Sequence, residues 1–400
     1  MFELTEEQKM IKANAQRFWL KEIDPIIDER EKRAATGEVF SREETLWIMD
    51  KLAQMGYRDT ATAEEGGEEL SRVSHGLLWE VQGYFWVSTY TLGLGGGSSR
   101  LLGRMTPECR QKYAGRLKDM LGSAGISESN AGGSPMPRYA EFKSVLDGDF
   151  WICNGTKAWT SGGAVSDYIT CATLIDRGNG VEGIGNIFID RHESPYETRE
   201  MPKLGWRCCS LTETTFTDCR VPRENMLIGA GEVETALGFT TGRTGIAAMA
   251  TGLGQACVDA STKYIQETQR WGKPLASFQL VQNMLVNMAV ETDCSRYLYL
   301  RACDAADRLE QGGQLVAEST RDPRVGELRL YSSMAKYFCC DAANRTAYNA
   351  VSIHGALGVL EDLRIERYYR DARTLNIPDG TSEVQRLIIG RELTGISAIR

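Results

Sequence analysis

Apolar positions repeat at two different periods along this chain, and the change of period divides it. Leu4-Thr5-Glu6-Glu7-Gln8 opens a helix, because Thr5 can cap and Gln8 stands at the third position after it. Apolar residues then recur at Ile11, Ala15, Phe18 and Trp19, a spacing of about 3.6. A second helix is predicted from Phe40-Ser41 to Met55, where Gly56 stops it. Glu64–Gly67 reads as a turn, Ser74–Val87 as a helix, Gly93–Gly97 as a break and Glu108–Leu121 as a further helix.

From Ala124 to Ile228 the pattern shifts to short β-branched and aromatic runs separated by turns: Phe150–Cys153, Tyr168–Thr173, Asn186–Ile189 and Glu213–Phe216. Asn154-Gly155 between two such runs reads as a hairpin turn. The helical period then returns in long stretches. Thr244–Arg270 is ended by Gly272-Lys273-Pro274, and Phe278–Gln311 repeats Leu280, Met284, Leu285, Met288 and Ala289. Arg324–Ile353 follows, then a glycine break at Gly355 and Gly358, then Glu383–Leu393. Long antiparallel helices with short links make a bundle. The expected fold class is α+β: an N-terminal all-α domain (1–123), a middle β-barrel or sandwich domain (124–230) and a C-terminal four-helix bundle (231–400).

Composition narrows the function. At 400 residues and 42% hydrophobic content the chain can bury a large core. A net charge of −8 without a basic patch argues against nucleic acid as a partner. The first residues lack the basic start and apolar run of a secretory signal. No run of about 18 apolar residues predicts a membrane span. The eleven cysteines are irregularly spaced, with adjacent pairs at Cys208–Cys209 and Cys339–Cys340, and no CxxC pair suggests a zinc site. With three histidines a metal site is not expected, and reduced thiols in a cytoplasmic protein are.

Seven blocks carry the candidate chemistry. They are Gly125-Ile126-Ser127-Glu128-Ser129-Asn130-Ala131-Gly132-Gly133-Ser134, then Asn154-Gly155-Thr156-Lys157-Ala158-Trp159-Thr160-Ser161-Gly162, then Lys203-Leu204-Gly205-Trp206-Arg207-Cys208-Cys209-Ser210 with Val221-Pro222. Phe239-Thr240-Thr241-Gly242-Arg243 and Thr268-Gln269-Arg270-Trp271-Gly272-Lys273-Pro274-Leu275 with Phe278, Gln279 and Gln282 come next. Ile353-His354-Gly355-Ala356-Leu357-Gly358 and Tyr369–Arg373 leading to Pro378-Asp379-Gly380-Thr381-Ser382-Glu383 close the series. On its own, Pro378-Asp379-Gly380-Thr381 is a capped turn. Together the blocks, over residues 2–396, resemble the FAD-dependent acyl-CoA dehydrogenase family, with aspartate where the family's usual catalytic glutamate stands.

The resemblance implies α,β-dehydrogenation of an acyl-CoA thioester, with Asp379 taking the α-proton and flavin N5 the β-hydride. Arg243 would orient the acyl-CoA end or support the base. Gly242, directly before it, excludes an acid that some members place there. Cofactor contacts are implied for Ser127, Ser134, Trp159, Ser161, Arg270, Trp271, Gln279, Gln282, His354, Gly355, Gly358, Gly380, Thr381 and Glu383. Gly133-Ser134 replaces the usual Ser-Asp, Gly162 the usual Asn, and Thr268 the usual Arg. His354 is read as a packing or hydrogen-bonding residue rather than a base. Aspartate is one methylene shorter than glutamate, so a cyclic, branched or aromatic-substituted acyl group held closer to this turn is expected. A nitroalkane-oxidase-like flavoenzyme with Asp379 as base is the alternative. The resemblance further implies an electron-transfer flavoprotein as acceptor and a homotetramer built as a dimer of dimers.

Overall fold

The computed structural model describes residues 3–55, 70–89, 98–130, 140–229, 232–311, 314–315 and 322–398. The turn expected at Glu64–Gly67 and the break at Gly93–Gly97 lie outside these residues. Helix α1 (Glu6–Phe18) starts where the sequence predicts it. The Gln8 N–H donates to the Thr5 hydroxyl at 3.2 Å, and the Thr5 N–H donates to the Gln8 side chain at 3.0 Å. A π-turn over Trp19–Ile23 then feeds α2 (Asp24–Ala35), which has Pro25 in its first turn; the sequence reading assigns no element there. Trp19, Ile23, Ile27 and Ala34 are buried, so the apolar stripe continues across the π-turn. Helix α3 (Arg42–Gln54) has its own capping box, Ser41 with Glu44. Helices α4 (Arg72–Phe85), α5 (Ser98–Arg104) and α6 (Pro107–Tyr113) follow. The helix expected to reach Leu121 ends at Tyr113, because Gly115 gives the chain a cheap exit into a 3-10 turn at Leu117–Asp119.

The β region is one curled mixed sheet of β1 (Gly122–Gly125), β2 (Lys143–Asp147), β3 (Phe150–Ser161), β4 (Tyr168–Asp176), β5 (Val181–Asp190), β6 (Glu197–Glu200) and β7 (Leu211–Pro222). Its order is β1-β4-β2-β3-β7-β6, with β5 also on β4. β1 and β2 run parallel to successive parts of β4, with Gly122 opposite Tyr168 and Lys143 opposite Leu174. Asn154-Gly155 is not a hairpin turn. It lies inside β3, at a register shift against β7, where Gly155 has φ +127°. The Asn154 side chain bonds Asp218 in both directions across that bulge, its Nδ2 donating at 3.1 Å and its Oδ1 accepting at 2.8 Å. The φ > 0 preference of this dipeptide therefore serves a bulge that re-aims the end of β3. The chain turns between Asp147 and Phe150 instead, with Gly148 at φ +59°.

The C-terminal part comprises α7 (Glu232–Glu267), a hairpin of β8 (Gln269–Arg270) and β9 (Lys273–Pro274), and α8 (Gln279–Asp307). A short pair, β10 (Glu310–Gln311) and β11 (Gln314–Leu315), leads to α9 (Pro323–His354), a 3-10 turn over Gly355–Val359, α10 (Ile365–Leu375) and α11 (Ser382–Thr394). Helix α7 begins at Glu232, ahead of the Thr244 expected from its pattern. Helix α4 packs backbone-to-backbone on α7: a Cβ on Gly252 would stand 1.9 Å from the Glu80 carbonyl oxygen, so only glycine admits this crossing. One core cluster joins α4, α7, α8, α9 and α10 around Leu77, Met249, Tyr299 and Ala343, and a separate cluster fills the sheet around Phe142, Trp151 and Phe216. All eleven cysteines are free, and Cys294 alone is exposed. No helix among the described residues is long and apolar enough to cross a membrane.

Candidate active site

Two of the sequence blocks meet on the sheet. The Ala158 N–H donates to the Ser127 carbonyl at 2.9 Å, which sets the Ser127 loop beside Trp159. Beneath this junction the fully buried Lys157 donates to Glu128 Oε1 at 2.6 Å. The other Glu128 oxygen accepts the backbone N–H groups of Glu141 (2.6 Å) and Phe142 (3.2 Å). Above it, Trp159 has φ +57° and is 48% exposed, although Ala158 and Thr160 on either side are buried. The hydroxyls of Ser127 and Ser161 are half-buried, and Thr160 Oγ1 is buried without a hydrogen-bond partner. An exposed indole face bordered by hydroxyl donors fits a planar heterocycle with polar edges, so these residues suit the implied flavin. Ser134 lies outside the described residues.

A second group forms one arm. Trp271, 88% exposed with φ +48°, is the tip of the β8–β9 hairpin, and its ring meets Phe278 edge-on at 5.5 Å. Among the described residues Arg270 donates only to the neighbouring Gln269 carbonyl, at 2.8 Å, and Gln282 folds onto the Ala276 carbonyl at 2.8 Å. Gln279 is exposed at the start of α8. His354 is buried, stacks on Tyr264 at 4.3 Å and bonds the Ala350 carbonyl through Nδ1 at 2.8 Å. Burial holds its proton affinity below the ordinary histidine value, in keeping with a packing role. Gly355 adopts φ +60°, and Gly358 is buried against the Val351 carbonyl.

The third group surrounds Asp379. The turn from Asn376 to Gly380 joins α10 to α11, and both Asp379 (φ +55°) and Gly380 (φ +91°) are left-handed. A non-glycine residue there costs roughly 1–3 kcal/mol and persists only where its surroundings enforce the shape. Here they do. Gln385 Nε2 donates to the carbonyls of Asp379 (2.9 Å) and Gly380 (3.0 Å). Asn376 Nδ2 donates to Asp341 at 2.6 Å and to Ser382 at 3.1 Å, and Ser382 donates to the same Asp341 oxygen at 2.9 Å. Lys336 rises from α9 and donates to the carbonyls of Asn376 and Gly380, each at 2.7 Å.

The Asp379 carboxylate leans on α7: a Cβ on Gly242 would stand 2.5 Å from Oδ2. Arg243, the next residue, is held below the usual arginine value by burial and by Arg391 and Arg329, while the Asp379 charge opposes them. Its Nε has no hydrogen-bond partner among the described residues. Thr381 caps α11, and exposed Glu383 lies below the ordinary carboxylate range because its own N–H and the Thr381 hydroxyl bond it. Of this group the sequence reading names Asp379 and Arg243, with Gly242 only as the place where an alternative acid is absent, and it does not name Lys336, Asn376 or Asp341. One signal for Lys336 was available: it keeps step with buried Ser332, Cys339, Cys340 and Ala343 on α9.

Residues 5–120 match the family profile "Acyl-CoA dehydrogenase, N-terminal domain", and residues 230–394 match "Acyl-CoA dehydrogenase, C-terminal domain". A probable acyl-CoA dehydrogenase of Bacillus subtilis is 31% identical, the alignment covering 98% of this chain and 99% of that protein. A 3-(aryl)acrylate reductase of Clostridium sporogenes is 30% identical over 97% of this chain and 99% of that protein. Among solved structures, a glutaryl-coenzyme A dehydrogenase in complex with glutaryl-CoA superimposes with a TM-score of 0.83 and 27% identity, covering 99% of this chain and 97% of that one.

Proposed function

The chain belongs to the FAD-dependent acyl-CoA dehydrogenase family, oxidoreductases that act on acyl-CoA, and we propose that within it Asp379 is the base. The observation that carries this reading is the carboxylate on an enforced left-handed turn, lodged over Gly242 and felt electrostatically by both Arg243 and Lys336. A cation near a carboxylate favours the form that can accept a proton. Substrate binding then strips water from it and raises its proton affinity towards that of the thioester α-carbon. Bound FAD supplies the hydride acceptor. Trp159 offers it a face, and the hydroxyls of Ser127 and Ser161 offer it donors.

The shorter acid leaves room beside the turn, and a cyclic, branched or aromatic-substituted acyl group fills it. Arg270, Trp271, Gln279 and Gln282 form an arm that in this reading reaches FAD across a subunit interface of a homotetramer. His354, Gly355, Gly358, Gly380, Thr381 and Glu383 line the same cofactor. An electron-transfer flavoprotein accepts the electrons in the cytoplasm. We divide the chain into units 1–123, 124–230 and 231–400.

Anaerobic mixing with straight, branched, cyclic and aryl-substituted acyl-CoA thioesters tests the reading by loss of visible flavin absorbance. Bleaching by a saturated thioester, abolished in Asp379→Asn, is expected. Bleaching by a nitroalkane alone would replace this function with nitroalkane oxidation.

A further inference from the structure

A lysine with no exposed surface is rare, and it usually pairs with a carboxylate. Lys336 departs from that rule. Its side chain is completely buried, and its two hydrogen bonds go to backbone carbonyls, those of Asn376 and Gly380. These carbonyls bracket the turn that presents Asp379. Neutral acceptors leave the ammonium's charge uncancelled at short range. The charged and titratable groups facing it are Asp379 on the turn, Asp341 and Cys340 on its own helix, and Arg243 on α7. Arg386 of α11 approaches Asp341 at 3.6 Å and shares that acid.

We propose that Lys336 is a positioning residue for the base: it clasps both ends of the 376–380 turn from below and directs an unspent positive charge at the carboxylate above. The inference rests on the assignment of Asp379 as base. Its mechanical part fixes the height of a short acid that cannot reach far. Its electrostatic part keeps that acid ionised before substrate arrives. Burial lowers the lysine's own proton affinity, and the carboxylates of Asp379 and Asp341 oppose that fall, so the ammonium and the base stabilise each other.

Lys336→Met removes the charge and both hydrogen bonds at similar volume. With butanoyl-CoA, 2-methylpropanoyl-CoA and cyclohexanecarbonyl-CoA as probes and an artificial electron acceptor, kcat should fall by roughly ten- to a hundredfold. KM and FAD content should hold. The acidic limb of kcat/KM, which reports the free enzyme, should move to higher pH, because a carboxylate that has lost a neighbouring cation keeps its proton longer. Ser382→Ala loosens the same turn without changing charge, so it should lower kcat and leave that limb in place. A Lys336→Met enzyme with the wild-type limb overturns the proposal. If that variant does not fold, Lys336→Gln is read by the same criterion. Failure of both to give FAD-loaded protein also overturns it, since the lysine would then serve the fold as a whole. Asp379→Asn separates the two claims. Full activity there removes the base assignment, whereas an inactive Asp379→Asn with an unmoved limb in Lys336→Met removes only the role of Lys336.

Discussion

Two lysines among the described residues have no exposed surface, and they spend their charge in opposite ways. In the sheet, Lys157 meets Glu128 at 2.6 Å and lies 4.8 Å from the Phe142 ring centre. Glu128 in turn holds two backbone N–H groups, so charge and hydrogen bonds close on themselves. In the bundle, Lys336 meets, among the described residues, only carbonyls at hydrogen-bond distance. The first arrangement is architectural: it fixes the loop that carries Ser127 against the strand that carries Trp159. The second keeps a net charge beside the acid proposed here as the base. A buried ion pair suits a scaffold that must not respond, and a buried cation on neutral acceptors suits a group that must.

Breaking the closed pair should have the largest effect on stability. Lys157→Met leaves Glu128 buried and unpaired, at a cost of about 3–5 kcal/mol. Thermal unfolding should fall sharply, and FAD should be lost with it. Adding Glu128→Gln should restore more than half of the loss, because a neutral amide has little reason to need a buried cation. If the single and double variants unfold together, Lys157 and Glu128 are not a closed unit and the contrast with Lys336 fails.

A smaller effect sharpens the other side. Gly242→Ala places a methyl where the Asp379 carboxylate now lies. The carboxylate is the far end of a flexible side chain, so it yields and the helix does not. Displacement of the proposed base by about 1 Å corresponds to roughly a hundredfold in kcat. Alanine is a better helix former than glycine by up to about 1 kcal/mol, so melting temperature should hold or rise. Activity lost at constant stability is the expected signature. An active Gly242→Ala enzyme would mean that the carboxylate does not work from this position.

Much of this was legible in the sequence, but unevenly. The capping boxes of α1 and α3 and the long helices of the bundle come from local chemistry, and the chain obeys it. Asn154-Gly155 misled because a preference for φ > 0 signals a bulge as readily as a turn, and only the partner strand decides between them. The helix expected to reach Leu121 stops early for a tertiary reason as well: Leu121 turns to bond Asp167, its N–H donating to that carboxylate at 2.8 Å. Asp379 was legible as an acid in a turn. The Lys336 clasp was not, since it joins residues 40 and 44 positions apart, and no local pattern encodes that pairing.

The smallest effect concerns a third buried charge, intermediate between the two lysines. Asp371 accepts the Trp206 N–H at 2.7 Å and so ties α10 to the turn after β6. Burial, with the Glu31 carboxylate adding to it, pushes its carboxyl up to about 7, and Arg367 and Arg370 only partly offset this. Its folded proton affinity exceeds the unfolded one. The protonated form therefore contributes stability that is complete below the ordinary carboxylate range of about 4 and is lost as pH rises through about 7. Asp371→Asn keeps an acceptor for the Trp206 N–H and removes the titration. Near pH 4 the variant should match wild type, and at pH 8 it should melt a few °C higher. Melting curves that stay parallel from acid to alkali would show that Asp371 is already compensated by its arginines, and would move it to the closed class with Lys157.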